Sequence, residues 1–234
     1  MKKAIKLLIL IIISLSVYFI YQQTKNDNKK VLCIGDGLSL GINSYGIKDY
    51  GYIDYYKDYL QERTEELTVI KEYSNKGLSI KELLQNIKTN NKLKRDLMES
   101  HILFLTVGYN DLLYKFSLED NMDTQKFDKI IRGIKTDYLN LIKEIKKYYK
   151  NEIIVIGYYK SYKDDYYMNM GISKLNKIIR LNEDVTYLDT YQLLSNHSKY
   201  FSNNDSYYPN RLGYEAIANK IIENTWKSTK YLLY

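Results

Sequence analysis

The chain has 234 residues, of which 45% are hydrophobic and 27% charged, and it carries a formal net charge of +7. That length supports one domain with a sizeable core, and the composition excludes a disordered or collagen-like chain. The excess charge is lysine spread along the sequence without an arginine cluster. This argues against a nucleic-acid surface and fits a neighbour made of anionic polymer or lipid headgroups.

In chain order, the first feature is an apolar run. Lys2, Lys3 and Lys6 precede it, and it extends from Leu7 to Tyr21. Counted from Ala4, residues 4–21 approach the roughly 18 residues at the lower limit for a bilayer-spanning helix. The run leaves through Tyr18, Phe19, Ile20 and Tyr21 instead of the small residues of a cleavage site. The pattern predicts an uncleaved signal anchor with its lysine-flanked start in the cytoplasm. Residues 1–30 then form anchor and tether, and residues 31–234 form an extracytoplasmic domain held at a cell membrane by a single pass.

Val31–Gly35 reads as a short buried strand, and Cys33, the only cysteine, as part of its core face, with no disulfide possible. Tyr52–Leu67 has helical spacing and Thr68–Tyr73 strand character. Ile80–Met98 reads as a helix and His101–Gly108 as a continuous apolar strand. A long amphipathic helix includes Phe127, Ile134, Tyr138 and Ile145, and a fourth strand covers "EIIVIGYY". A helix over 169–181, a fifth strand in "VTYLDT" and a last helix over 210–227 complete the chain. Continuous apolar strands between amphipathic helices predict a three-layer α/β/α, flavodoxin-like domain. Its sheet has five parallel strands in the order 2-1-3-4-5, with the site beyond their carboxyl ends. The 27 tyrosines, against 5 phenylalanines and 1 tryptophan, fit either AT-rich coding or an aromatic, sugar-binding surface. The tyrosine-rich stretch Asn43–Leu60 is expected at the border of the cleft.

The turns after the strands carry a set of motifs. Gly35-Asp36-Gly37 follows the first strand, and Asn75 with Gly77 follows the second. Gly108, Asn110 and Asp111 follow the third. Asp205, Tyr208, Pro209 and Gly213-Tyr214 precede the last helix. In this order and on this alternation, the set resembles the SGNH/GDSL hydrolase superfamily across residues 30–228. The resemblance implies a serine in a Gly-Asp-Ser turn that attacks an ester carbonyl. It also implies an oxyanion held by backbone and asparagine donors, and an Asp-x-x-His motif that supplies base and orienting aspartate.

Mapped onto this chain, the family's ligand-facing set is Asp36, Gly37, Gly77, Asn110, Asp205 and Tyr208. Gly37 stands where the nucleophilic serine belongs, and Tyr208 stands where the histidine belongs. Gly77 and Asn110 match the oxyanion donors, and Asp205 matches the orienting aspartate. Among possible substitutes, Ser39 lies two residues on, a rotation of about 200° on a helix. A phenol with an ordinary pKa near 10 is a poor base at neutral pH. His197 precedes Asp205 on an expected surface segment, and His101 begins a strand at the opposite end of the sheet. No His/Cys/Asp cluster has metal-ligand spacing, and no cofactor is called for.

Two functions are therefore expected as alternatives. One is a membrane-anchored, non-catalytic or altered protein that binds an envelope glycan, an acylated polymer or a membrane protein. The other is a working ester hydrolase or acyltransferase with a relocated nucleophile, Ser39 with His197.

Overall fold

The structure is a computed structural model that describes residues 9, 11–18, 29–63, 67–161, 165–202 and 206–224. Five strands form one sheet: β1 (Lys29–Gly35), β2 (Leu67–Ile70), β3 (Ile102–Thr106), β4 (Ile153–Ile156) and β5 (Thr186–Leu188). Their order is β2-β1-β3-β4-β5, and every pairing is parallel, with Cys33 opposite Phe104 and Gly35 opposite Thr106. The expected order and direction are those observed.

The strand residues alternate between two cores. Leu32, Ile34, Leu103 and Leu105 face one, and Val31, Cys33, Ile102 and Phe104 face the other. Period-two alternation with apolar residues on both sides is what a sheet covered by helices requires. The first core is closed by α3 (Ile80–Thr89), α4 (Asn91–Glu99), α6 (Thr124–Tyr148) and α7 (Tyr166–Arg180). The second is closed by α2 (Tyr52–Gln61) and α9 (Arg211–Asn224). Short helices α1 (Gly37–Leu40), α5 (Tyr109–Ser117) and α8 (Tyr191–Leu194) follow β1, β3 and β5. Each fully buried Leu or Ile contributes about 1.5–3 kcal/mol, so the two stripes of α6 and α9 hold the layers in place.

Three differences from expectation are the largest. The helix over Ile80–Met98 is two helices, because Asn90 leaves helical backbone with ψ at 103° and caps α4 instead. Its Oδ1 accepts from the amides of Lys92 and Leu93 at 2.9 and 3.1 Å. The helix from Tyr52 stops at Gln61, and Leu67, expected in it, pairs with Lys29 in the sheet. The helix α5 was not foreseen; it starts at Gly108, whose φ of 120° favours glycine.

Tyr52, Tyr56, Tyr138, Tyr149 and Tyr214 are among the largest fully buried side chains, so much of the tyrosine content is core. In the stretch Asn43–Leu60, Tyr52 and Tyr56 pack edge-on against Phe104. Cys33 is buried beside Tyr52, with Sγ 3.3 Å from its hydroxyl, and burial pushes its thiol up to about 11.

Residues 11–18 are helical, and the hydroxyls of Ser14 and Ser16 donate back to the carbonyls of Ile11 and Ile12 at 2.9 and 2.8 Å. The remainder of the expected anchor over residues 4–21 and residues 22–28 of the tether expected over 22–30 lie outside the described residues, and Lys29 and Lys30, expected in the tether, belong to β1. Among the described residues, no helix is long and apolar enough to cross a membrane.

Candidate active site

The turn after β1 is built by close backbone approach. A side chain on Gly35 would run into the carbonyl and hydroxyl of Thr106 on the neighbouring strand. The Asp36 amide donates to that carbonyl at 3.0 Å. The Asp36 carboxylate then caps α1, with Oδ1 accepting from the Leu38 amide at 3.0 Å and from Thr106 Oγ1 at 3.2 Å. Oδ2 accepts from the Tyr158 hydroxyl at 2.5 Å. Asp36 is only 3% exposed. Burial outweighs these hydrogen bonds and pushes its pKa up to about 6.

Gly37 follows at the first position of α1, and the Tyr208 ring lies over it. A Cβ on Gly37 would sit 2.8 Å from Tyr208 Cε1 and 2.6 Å from Cζ, with the phenol oxygen closer still. Any side chain at position 37 therefore competes with this ring for the same space. The Tyr208 backbone is tied on two sides. Its carbonyl accepts from Ser44 Oγ at 2.9 Å and Ser206 Oγ at 2.7 Å, and its amide donates to Ser206 Oγ at 3.1 Å. Burial, with the Asp36 charge as a smaller cause, raises the phenol well above its ordinary range, so it stays protonated. Tyr109, Tyr158, Tyr159 and Tyr207 close around it, with the Tyr109 ring 5.5 Å from Tyr158 and 6.0 Å from Tyr207. The space left among Asp36, Leu38 and these rings is only about 20 Å³, room for about one water.

The expected oxyanion donors lie toward a different opening. The Gly77 amide donates to the Asn75 carbonyl at 2.9 Å, so it is engaged within its own turn. The Asn110 side-chain amide donates to the Leu78 carbonyl at 3.1 Å and keeps a second N–H. Both residues line an open cavity of about 690 Å³ between the start of α3 and the length of α5. Asp111 lines it too; its Oδ2 accepts from the Ile80 amide at 3.0 Å, and burial pushes its pKa up to about 6. Gly77 and Asn110 thus line an open cavity, while Gly37 lies under the Tyr208 ring beside a much smaller space.

Asp205 lies outside the described residues. The alternative pair does not assemble. Ser39 is fully buried with its hydroxyl bonded to Thr106 and 3.4 Å from that of Tyr52, while His197 is exposed at the start of a 3-10 turn. A relocated Ser39 nucleophile is therefore corrected by burial: no substrate reaches it. His101 accepts from the Lys30 amide at the amino end of β3, far from the strand ends that carry the site. Among the described residues, no cluster of His, Cys, Asp and Glu fits a metal ion. Sequence reasoning missed Tyr158 and Thr106 as partners of Asp36. Their signal was position: Thr106 ends β3 and Tyr158 lies two residues past β4, at the carboxyl edge where such folds place their sites.

A parallel sheet of this order, with a Gly-Asp turn, a glycine turn and a Gly-x-Asn-Asp turn at successive strand ends, defines the SGNH class of esterase scaffolds. The chain belongs to the GDSL-like lipase/acylhydrolase family, which matches residues 31–221. It is similar to the protein YpmR of Bacillus subtilis (strain 168), with 23% identity over 224 residues covering 86% of this chain and 83% of that protein. Among solved structures it resembles the lipase Lip_vut3 from a goat rumen metagenome. That likeness has a TM-score of 0.71 and 20% identity, over 83% of this chain and 96% of the other. It also resembles a family 3 carbohydrate esterase of Clostridium thermocellum, at 0.64 and 18% over 88% and 99% of the two chains. A catalytic mutant of Axe2, an acetylxylan esterase from Geobacillus stearothermophilus, matches at 0.61 and 17% over 83% and 93%. At these identities the structural likenesses establish the fold.

Proposed function

We propose that this protein is a membrane-anchored, extracytoplasmic member of the family that binds an acylated glycan or polymer of the cell envelope without hydrolysing it. The observation that carries the reading is the Tyr208 ring over Gly37. The nucleophile and base positions are both changed, and the replacement at one fills the space needed by the other. A protonated phenol cannot accept a proton from a hydroxyl at neutral pH. The open cavity beside Gly77 and Asn110 remains available for a ligand, with the second Asn110 N–H as a donor. The lysine-flanked apolar run over residues 4–21 supports the anchor.

The test combines chemistry and binding on the purified full chain. We expect no fluorophosphonate labelling and no turnover of a phenyl ester. We expect binding to isolated cell-wall glycan that falls after mild alkaline deacylation and after Asn110→Ala. Labelling of the unmodified protein would overturn the reading. Fractionation checks the anchor: the chain belongs in the membrane fraction, at full length and open to protease from outside, and a shortened soluble form would refute it.

A further inference from the structure

We propose that the groove between α6 and α7 docks the domain onto an anionic bilayer surface. The groove has a volume of about 360 Å³, and its rim carries Arg132, Lys135, Lys174 and Lys177. The helical spacing explains the arrangement. Arg132, Lys135 and Leu139 fall along one stripe of α6, and Lys174 and Lys177 lie on one face of α7, with Leu181 at its C-cap. No carboxylate lines the groove, and none of the four cations forms an ion pair with a described residue.

Several cations elsewhere on the surface pair with a carboxylate. Lys71 pairs with Asp54, Lys92 with Glu72, Lys126 with Glu119 and Arg211 with Asp49. In the groove the positive charge is instead set beside apolar surface. Leu139 is 41% exposed and Leu181 69% exposed. Ile131 and Ile178 form the floor, held from below by the first core.

Unmatched cations around exposed leucines complement the two layers of a membrane interface, phosphate outside and hydrocarbon just within. A soluble anion would satisfy the lysines and leave the leucines in water. An apolar protein partner would leave four charges unpaired. Each cation near such a surface is worth about a fivefold change in partition at low ionic strength, from about 1 kcal/mol per charge. The inference is independent of whether residues 4–21 span the membrane, and the experiment separates the two.

The full chain is labelled with an environment-sensitive fluorophore at Leu181→Cys; the native Cys33 is fully buried and does not compete. A second sample carries the label at Tyr45→Cys, an exposed position in the loop that leads to Ser44 and Tyr208. Both are mixed with vesicles of phosphatidylcholine alone or with added phosphatidylglycerol. We expect a blue shift at position 181 only with the anionic vesicles, reversed by about 0.5 M salt, and no shift at position 45. Replacing all four cations by glutamine is expected to abolish the shift. A shift of equal size in both vesicle types, a shift that survives the fourfold substitution, or a response to soluble polyphosphate and not to vesicles would each overturn the proposal. Co-flotation with phosphatidylcholine alone reads the anchor separately. Its loss with the anionic shift intact would refute the anchor and leave the docking face standing.

Discussion

Gly37 and Tyr208 are complementary in volume, and that complementarity has a measurable energy. Adding one methyl at position 37 forces the Tyr208 ring aside, and overpacking of this kind costs about 1–3 kcal/mol. Gly37→Ala should lower stability by that amount in urea unfolding. In a Tyr208→Ala background the same change should cost less than about 0.5 kcal/mol, because the two sites are in contact and their effects do not add. Equal costs in both backgrounds would show that the ring yields freely. The same contact governs any restoration of chemistry. Gly37→Ser alone is expected to give a protein that fluorophosphonate does not label, since its hydroxyl meets the ring and has no base. Gly37→Ser with Tyr208→His clears the space and supplies an imidazole at the family position. Labelling is expected only in that pair, and its appearance in the single variant would contradict the argument.

At the scale of elements, the chain uses side-chain caps to turn corners. Asp36 caps α1, Ser79 and Glu82 cap each other at α3, Asn90 caps α4, Asp123 caps α6 and Asp165 caps α7. Asn90 is the informative case, because it ends one helix and begins the next at a single residue. A helix former there would favour one continuous helix in place of the break between α3 and α4. Asn90→Ala is expected to cost about 1 kcal/mol and Asn90→Ser much less. A thermal melt followed by circular dichroism separates them; identical midpoints would mean the break is imposed by packing alone.

Across the whole molecule, the buried carboxylates set how stability depends on pH. Asp36 and Asp111 have folded-state values near 6 against an ordinary 3.8. The folded chain therefore holds their protons more tightly than the unfolded chain, and stability falls as pH rises from about 4 to 6, then levels. A rise of roughly two units corresponds to about 3 kcal/mol for a fully desolvated group. Asp49 acts oppositely: its pairing with Arg211 lowers it to about 2, so its stabilisation is present above 3.8 and fades as pH drops toward 2. The expected profile peaks near pH 4–5. Asp36→Asn should flatten the descending limb in chemical denaturation measured between pH 4 and 7. A limb that steepens, or that rises toward neutrality in the unmodified protein, would contradict these assignments.

The sheet order, the two-sided cores and the strand-end turns were legible in the sequence. Each depends on local periodicity and on residues that only one backbone shape accommodates, such as Gly35 against Thr106. Gly37 and Tyr208, at the positions where the motif leads one to expect serine and histidine, were legible too, as letters. What those residues do to each other was not, because 171 positions separate them and only the folded chain stacks one on the other. The same holds for Ser39, which burial removes from contention, and for Gly77, whose amide turns inward to Asn75. Local pattern determines which elements form and where a site must lie. Long-range packing decides which groups in that site have space, solvent and a free proton.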